Sequence, residues 1–227
     1  MITIIAPAPF DDHFAVFQVG IRGFCMKKNT AGRRYRAQPS YITALKIPLP
    51  ARSKLDPDMR KYFKVCEDAI GFLPNVLAAY SFDQVKLRAF IDTYNDLMLG
   101  DSRLSKLERE MIAVVVSSAN NCYYCLTAHG QAVREMSGDP TLGEALVMNY
   151  RVAVISPRQR AMLDFAHLLT VAPVEVGESE REGLRKAGFR DRDIWDICAV
   201  TAFFNMTNRL ASAVDMMPNE EYHARSR

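Results

Sequence analysis

The segment Glu108–Gly130, EREMIAVVVSSANNCYYCLTAHG, joins an apolar helical run to a cluster of reactive side chains. Ser105 precedes its first glutamate by three residues, which is the spacing of a capping box at a helix start. The valines favour a strand on their own, but strong helix formers surround them. Asn120 and Asn121 are poor inside a helix and good at its ends. We therefore predict a helix that stops at the asparagines and a second helix that begins near Cys122.

The rest of the chain from Pro57 onward carries apolar residues three and four positions apart, which is the period of an α-helix. Asp56 and Ser156 stand at positions that predict helix starts, and Gly71 and Gly100 stand where helices should end. No alternating stretch long enough for a convincing strand occurs. The predicted fold class is all-α.

Composition places the chain among globular proteins that bury a real core. It has 227 residues, of which 49% are apolar and 24% are charged, and its formal net charge is +3. Its five cysteines are odd in number and scattered, unlike a secreted disulfide framework, so we expect a reducing, cytoplasmic location. No apolar run reaches the roughly 18 residues that span a bilayer, so we expect no membrane segment and no signal peptide.

The positive charge is concentrated near the N-terminus. Residues 1–54 contain nine Lys and Arg against two Asp, which leaves the remainder of the chain mildly acidic. An acidic body argues against a nucleic-acid surface. We predict that residues 1–40 form a basic, poorly ordered extension and residues 41–227 form the helical domain. An arm for an anionic partner and an upstream segment without its own fold are the alternatives for the extension.

The second predicted helix would place three reactive groups on one face. At about 100° per residue, Cys122, Cys125 and His129 fall within one narrow stripe. Unpaired amides and the positive dipole end at a helix start favour thiolate over thiol. Glu110 lies far enough upstream for the chain to turn and bring its carboxylate back to His129. A carboxylate fixes the imidazole tautomer, so His129 could remove and return a thiol proton.

A zinc site is an alternative for the same residues, because two cysteines and one histidine are suitable ligands. A fourth ligand would have to be Glu110, His167 or Cys198, none of which stands at a typical ligand spacing. We expect His167 to serve packing or an interface. Cys66 and Cys198 lie in apolar helical stripes and are predicted to be core residues.

These residues carry a specific resemblance. Glu110, Cys122, Cys125 and His129 resemble the E-x11-C-x-x-C-x3-H signature of the alkylhydroperoxidase D-like family, within the carboxymuconolactone decarboxylase superfamily. The segments YITALKIPLP, IGFLPN, YNDLMLG, PRQRAMLDFA and AFFNMTNRLASA are similar to the subgroup called peroxidase-related enzymes. The resemblance runs from about Tyr41 to the C-terminus.

The resemblance implies an all-α homo-oligomer that reduces peroxides through thiol chemistry without a cofactor. Cys125 would be the peroxidatic cysteine and Cys122 the resolving one, with Glu110 and His129 as the proton relay. Helix position alone would instead favour Cys122 as the reactive thiolate. Founding members carry a histidine where this chain has Tyr124, which leaves the substrate and the reducing partner open.

An internal repeat is a further hypothesis. The intervals between Glu110, Cys122, Cys125 and His129 are 12, 3 and 4 residues. When the chain is shifted by 83 residues, the same intervals separate the four aligned residues, which are, in the same order, Asp193, Asn205, Asn208 and Ser212. If two copies of one helical unit exist, both should share helix order and crossing, and only the first should carry the thiols.

Three functions are compatible with these patterns. The favoured one is a thiol-dependent peroxidase for small or organic hydroperoxides, with an unidentified thiol or dithiol reductant. A non-catalytic redox-sensing or scaffold protein with the same fold is the alternative. Decarboxylation, or another cofactor-free reaction of the superfamily, is a third reading that would not need paired cysteines. We expect no nucleic-acid partner and no membrane partner.

Overall fold

The computed structural model describes residues 38–227, and within that range it contains helices and connecting turns but no β-strand, which confirms the all-α prediction. The α-helices follow in this order: α1 Pro57–Ile70, α2 Asn75–Tyr80, α3 Gln84–Tyr94, α4 Lys106–Ala119, α5 Tyr123–Ser137, α6 Pro140–Asn149, α7 Pro157–Val171, α8 Glu178–Lys186, α9 Asp191–Ala213 and α10 Glu221–Ala224. Short 3-10 turns lie at Arg52–Lys54, Tyr150–Val152 and Pro173–Glu175, and a π-helical turn at Asn95–Leu99 extends α3 to the predicted stop at Gly100.

The predicted basic extension, residues 1–40, falls almost entirely outside the described residues. None of the helices between residues 38 and 227 is both long and apolar enough to cross a bilayer.

Local sequence signals account for most helix boundaries. The Ser105 hydroxyl accepts from the Glu108 amide at 3.1 Å, and the Glu108 carboxylate accepts from the Ser105 amide at 2.9 Å, so the predicted capping box is confirmed. Ser156 starts α7 through a second capping box. Gly71 ends α1 with φ of 79°, a left-handed conformation that glycine adopts without strain. Asp56 holds the predicted cap position of α1, but its side chain makes no capping hydrogen bond.

The junction between α4 and α5 forms as the two asparagines predict. Asn121 adopts a left-handed conformation with φ of 53°. The Cys122 amide donates to the Ser117 carbonyl at 3.0 Å, and the Asn121 amide donates to the Ser118 carbonyl at 3.1 Å. This pair of bonds is a Schellman motif, which satisfies the last carbonyls of α4. Cys122 is therefore both the residue that leaves α4 and the N-cap of α5.

Helix α4 is the centre of the domain. Every residue from Glu108 to Ser117 is buried, and α5, α6, α7 and α9 pack around it. Such all-round burial explains why its sequence is more uniformly apolar than that of a surface helix. The buried Arg109 guanidinium donates to the carbonyls of Leu97, Gly100 and Leu104, and these bonds offset the cost of burying its charge.

The internal-repeat hypothesis is wrong. Its first unit is two helices separated by a sharp turn, whereas its second unit lies within the single continuous helix α9. Asn205, at the position aligned with Cys122, keeps the helical path, and its side chain donates to the Thr201 carbonyl at 3.0 Å. Asp193 accepts from the Arg190 amide at 2.8 Å as part of a helix start, and it pairs with the Arg103 guanidinium at 3.0 Å. The shared intervals reflect helical periodicity.

Candidate active site

The structure brings the four predicted site residues together between α4 and α5. Glu110 projects from α4 and His129 from α5, and the Glu110 Oε2 to His129 Nδ1 distance is 2.6 Å. A carboxylate only accepts, so Nδ1 carries the proton of this bond and Nε2 is the nitrogen left for proton exchange. The rings of His129 and Phe204 pack edge to face, with their centroids 4.7 Å apart. Two independent contacts thus fix the imidazole.

The two thiols of the CxxC lie 3.0 Å apart as free cysteines. Cys122 is 1% exposed and Cys125 is 4% exposed, so both sulfurs are shielded from bulk water. The pKa of Cys122 is lowered to about 7, chiefly because the Cys125 thiol hydrogen-bonds to its sulfur. The Cys125 amide, the Ser212 hydroxyl and the charge on His129 lower it further, against the opposing effect of burial.

The same hydrogen bond has the opposite effect on the second thiol. The pKa of Cys125 lies well above its usual range, because its proton is held by Cys122 and because burial disfavours a second negative charge. Hydrogen bonds from Asn208 and Ser117 to the Cys125 sulfur partly offset this rise. Above the pKa of Cys122, the pair therefore carries one negative charge and one shared proton.

A buried polar group behind the thiols was missed by the sequence analysis. Asn208 and Ser117 are fully buried, and the Asn208 amide donates to the Ser117 hydroxyl at 3.0 Å. The Asn120 amide donates in turn to the Asn208 side-chain carbonyl at 3.0 Å. An asparagine in the middle of the apolar helix α9 was the available signal, since such a residue is a poor helix former and needs partners when buried.

A cavity of about 220 Å³ opens beside Cys125 and His129. Residues from α1, α2, α3, α5, α9 and α10 line it, and most are apolar or aromatic. Cys125 and His129 belong to its wall, whereas Cys122 does not. The side chains of Tyr124 and Tyr222 also line it, and both are buried. A ligand in this space would meet one sulfur and one imidazole within an apolar enclosure.

Comparisons with known proteins identify the family. The family model for the carboxymuconolactone decarboxylase family matches residues 86–168. A crystal structure of an uncharacterized peroxidase-related protein from Silicibacter sp. TM1040 is 60% identical, with a TM-score of 0.81, and the match covers 85% of this chain and 100% of that one. This chain belongs to the alkylhydroperoxidase D-like group of the carboxymuconolactone decarboxylase superfamily.

Two other solved structures are similar to this chain. The alkylhydroperoxidase AhpD core of a peroxidase-related protein from Ralstonia eutropha JMP134 is 42% identical, with a TM-score of 0.79, over 84% of this chain and 98% of that one. The debrominase Bmp8, solved as a variant in complex with 2,3,4-tribromopyrrole, is 19% identical to this chain and has a TM-score of 0.68. The match covers 79% of this chain and 95% of the debrominase chain, and it shows that the two proteins share a fold. No curated protein sequence matches the chain.

Tyr124 takes a structural role at the position where founding alkylhydroperoxidase D-like members carry a histidine. Its hydroxyl accepts a hydrogen bond from the Val76 amide at 3.0 Å, which ties α5 to the start of α2. Burial raises the pKa of Tyr124 well above its ordinary value, so the side chain stays neutral. This chain therefore keeps a neutral aromatic wall where those members have a second imidazole.

The remaining candidate residues have other surroundings. Cys66, predicted as core, is half-buried and lines the cavity, and burial raises its pKa to about 11. Cys198 is half-buried against the main core. His167 packs against Tyr150 with ring centroids 5.4 Å apart, in agreement with a packing role. Within residues 38–227, no group of three His, Cys, Asp or Glu side chains is placed to hold a metal ion, so the zinc alternative has no ligand set there.

Proposed function

We propose that the protein is a thiol-dependent peroxidase that reduces organic hydroperoxides through Cys125 and Cys122. The observation that carries the proposal is that Cys125 and His129 both line the apolar cavity. Cys125 is one sulfur of the thiol pair, and the Glu110 carboxylate holds the His129 imidazole. Membership in a group that includes peroxidase-related proteins supports it. An apolar enclosure favours an organic peroxide over a fully hydrated one, because burying its carbon atoms is favourable.

Access and charge assign different parts to the two sulfurs. Cys125 is the sulfur that a peroxide in the cavity can reach, so it is the peroxidatic residue of the proposal. The resting negative charge lies mainly on Cys122, whose pKa is the lower of the pair. Transfer of the shared proton from Cys125 to Cys122 over the short gap between the thiols creates the reactive thiolate at the cavity. Asn208 and Ser117 then stabilise it through their hydrogen bonds to the Cys125 sulfur.

The first chemical step breaks the O–O bond of the peroxide. The Cys125 thiolate attacks the terminal oxygen, a sulfur–oxygen bond forms, and the alkoxide leaves with the O–O electron pair. His129 donates a proton to the alkoxide, which departs as the alcohol, and Cys125 remains as a sulfenic acid. Glu110 holds the imidazole in place during this transfer.

The second step forms the disulfide. The Cys122 sulfur attacks the Cys125 sulfenic sulfur, the S–O bond breaks, and the hydroxide leaves as water with the proton of the Cys122 thiol. In sum, two thiols and one hydroperoxide give one disulfide, one alcohol and one water. A thiol or dithiol reductant then returns the pair to the starting state by disulfide exchange.

The alternative is a redox-sensing or scaffold protein whose pair oxidises without turnover. Steady consumption of tert-butyl hydroperoxide with dithiothreitol as reductant separates the two, because only an enzyme turns over many times. Cys125→Ser should abolish turnover, whereas Cys198→Ser should preserve it, since Cys198 lies away from the cavity. Wild-type protein that consumes a single equivalent and stops would support the sensing role.

Trapping with dimedone tests which sulfur receives the oxygen. Cys122→Ser should still react once with peroxide and should yield a dimedone adduct at Cys125, because no partner remains to resolve the sulfenic acid. Cys125→Ser should give no adduct. An adduct at Cys122 in the Cys125→Ser variant, with none at Cys125 in the other, would reverse the assignment.

A further inference from the structure

A second apolar space lies against the cavity and takes no part in the chemistry described above. It is a groove of about 660 Å³ between the segment 40–49 and helices α2, α3 and α9. We call it the tail groove. Its lining includes the following residues: Ile42, Leu45, Ile47, Leu49, Phe82 and Lys86. Leu45, Ile47, Leu49 and Phe82 are each exposed by 40% or more, so the groove presents contiguous apolar surface.

The tail groove and the cavity share one wall. Tyr80, Leu210 and Met216 line both spaces, so these side chains form a partition between the groove and the cavity that is lined by Cys125. Met216 has three rotatable side-chain bonds and adapts readily to a new neighbour. A rotamer change in this partition would join the two spaces into one elongated site.

The sizes of the two spaces differ in a way that bears on the substrate. Sites for drug-sized ligands occupy about 300–1,000 Å³, so the cavity of about 220 Å³ takes a smaller molecule and the tail groove of about 660 Å³ lies within the range. A small alkyl hydroperoxide needs the cavity alone. A substrate that uses both spaces must carry a long apolar part.

The lining of the tail groove includes one charged side chain among the described residues, that of Lys86. The Lys86 ammonium contacts the Asp83 carboxylate, but the Lys86 side chain is 60% exposed. An ammonium has three donors, so Lys86 can also bind a carboxylate that arrives from solvent.

We propose that the tail groove binds the hydrocarbon chain of a long-chain carboxylate hydroperoxide. The carboxylate lies at Lys86, the chain runs along the apolar groove, and the hydroperoxide group reaches Cys125 through the partition of Tyr80, Leu210 and Met216. The reactive end of this inference rests on the proposed function. The binding of the chain does not, because an unreactive carboxylate should occupy the same groove.

Calorimetric titration with saturated carboxylates from hexanoate to dodecanoate tests chain binding without any chemistry. Each buried methylene should strengthen binding by about fourfold until the groove is filled. Ile47→Glu places a carboxylate in the groove and should weaken decanoate binding at least tenfold. Val154→Glu makes a comparable change at a fully exposed valine outside the groove and should leave binding unchanged. Lys86→Gln should weaken decanoate binding while keeping the dependence on chain length.

The kinetic comparison uses linoleate hydroperoxide and tert-butyl hydroperoxide on the same proteins. Wild type should favour linoleate hydroperoxide in kcat/KM by tenfold or more, Ile47→Glu should remove this preference, and Val154→Glu should retain it. If wild type oxidises neither peroxide but binds decanoate with the expected chain-length dependence, the proposed function fails and the groove assignment stands.

Two results would overturn the groove assignment. One is binding that does not depend on chain length, or that weakens equally in Ile47→Glu and Val154→Glu. The other is an absence of carboxylate binding together with a change of sedimenting mass in Ile47→Glu, which would make the groove a contact between two copies of the chain.

Discussion

The ionisation of Cys122 depends on its neighbour Cys125. The largest cause of the low pKa of Cys122 is the hydrogen bond from the Cys125 thiol. Cys125→Ala removes this donor and leaves the helix position of Cys122 unchanged. The ionisation midpoint of Cys122 should therefore rise.

The size of the effect follows from the two pKa values. With a pKa of about 7, Cys122 is about half thiolate at pH 7, whereas at its ordinary value of 9.0 it would be about 1% thiolate. Ser212, the Cys125-position amide and His129 remain in the variant, so the full rise is an upper limit. A rise of one to two pKa units would reduce the thiolate fraction at pH 7 by about fivefold to fiftyfold.

The assay is alkylation of reduced protein by iodoacetamide between pH 5.5 and 9.5, with each cysteine quantified by mass spectrometry. The pH midpoint is the readout, because the smaller side chain at position 125 also changes access and thus the absolute rate. Cys198→Ala is the matched control, since Cys198 lies outside the pair, and it should leave the midpoint of Cys122 near 7. An unchanged midpoint in Cys125→Ala, or preferential labelling of Cys125 at low pH in wild type, would refute this account of the pair.

Two further predictions concern the relay and the helix that carries it. His129→Gln should raise the pH midpoint of cysteine oxidation by peroxide, because the imidazole charge lowers the pKa of Cys122. Glu110→Gln should shift this midpoint in the same direction, and the double variant should shift it little more than the more affected single variant does. Oxidation rates from pH 5 to 9 measure the midpoints. Superimposable profiles in all four proteins would assign Glu110 and His129 to structure alone. Ser105→Ala should lower the free energy of unfolding by about 1 kcal/mol in denaturant titrations, because it removes half of a capping box. Ser179→Ala, at an exposed serine, should change the free energy of unfolding little. Equal losses in both variants would contradict the capping argument.

Signals that lie close together in the chain predicted much of this molecule. The capping boxes at Ser105 and Ser156 and the stop at Gly71 depend on neighbours within one helical turn, so the sequence contains all the information they need. The break at Asn120 and Asn121 is of the same kind. It also placed the CxxC at a helix start, which was the basis for expecting a perturbed thiol.

Residues that reach the site from distant helices were not predicted. Asn208 and Ser212 contact the thiols from α9. The sequence spacing of these residues suggests an internal repeat of the cysteine motif, but α9 is one continuous helix. Periodicity reports which face a residue occupies on its own helix, but it does not report which helix packs against that face. Cys66 shows the same limit, since an apolar stripe predicts burial equally well beside a cavity and within a core.

The electrostatic division between the two cysteines also required the three-dimensional arrangement. Helix position favoured Cys122 as the thiolate, and the resemblance favoured Cys125 as the peroxidatic residue. Both expectations agree with the structure in part, because Cys122 has the lowered pKa and Cys125 lines the cavity. The distance between the thiols and the position of the cavity wall are the facts that separate the two roles.

The most direct test of the central claim is a thiol count on reduced protein before and after one equivalent of tert-butyl hydroperoxide, without oxygen, followed by peptide mapping. The account predicts that two of the five thiols per chain disappear and that the new disulfide joins Cys122 to Cys125. Retention of all five thiols, or a loss that maps to Cys66 or Cys198, would contradict it.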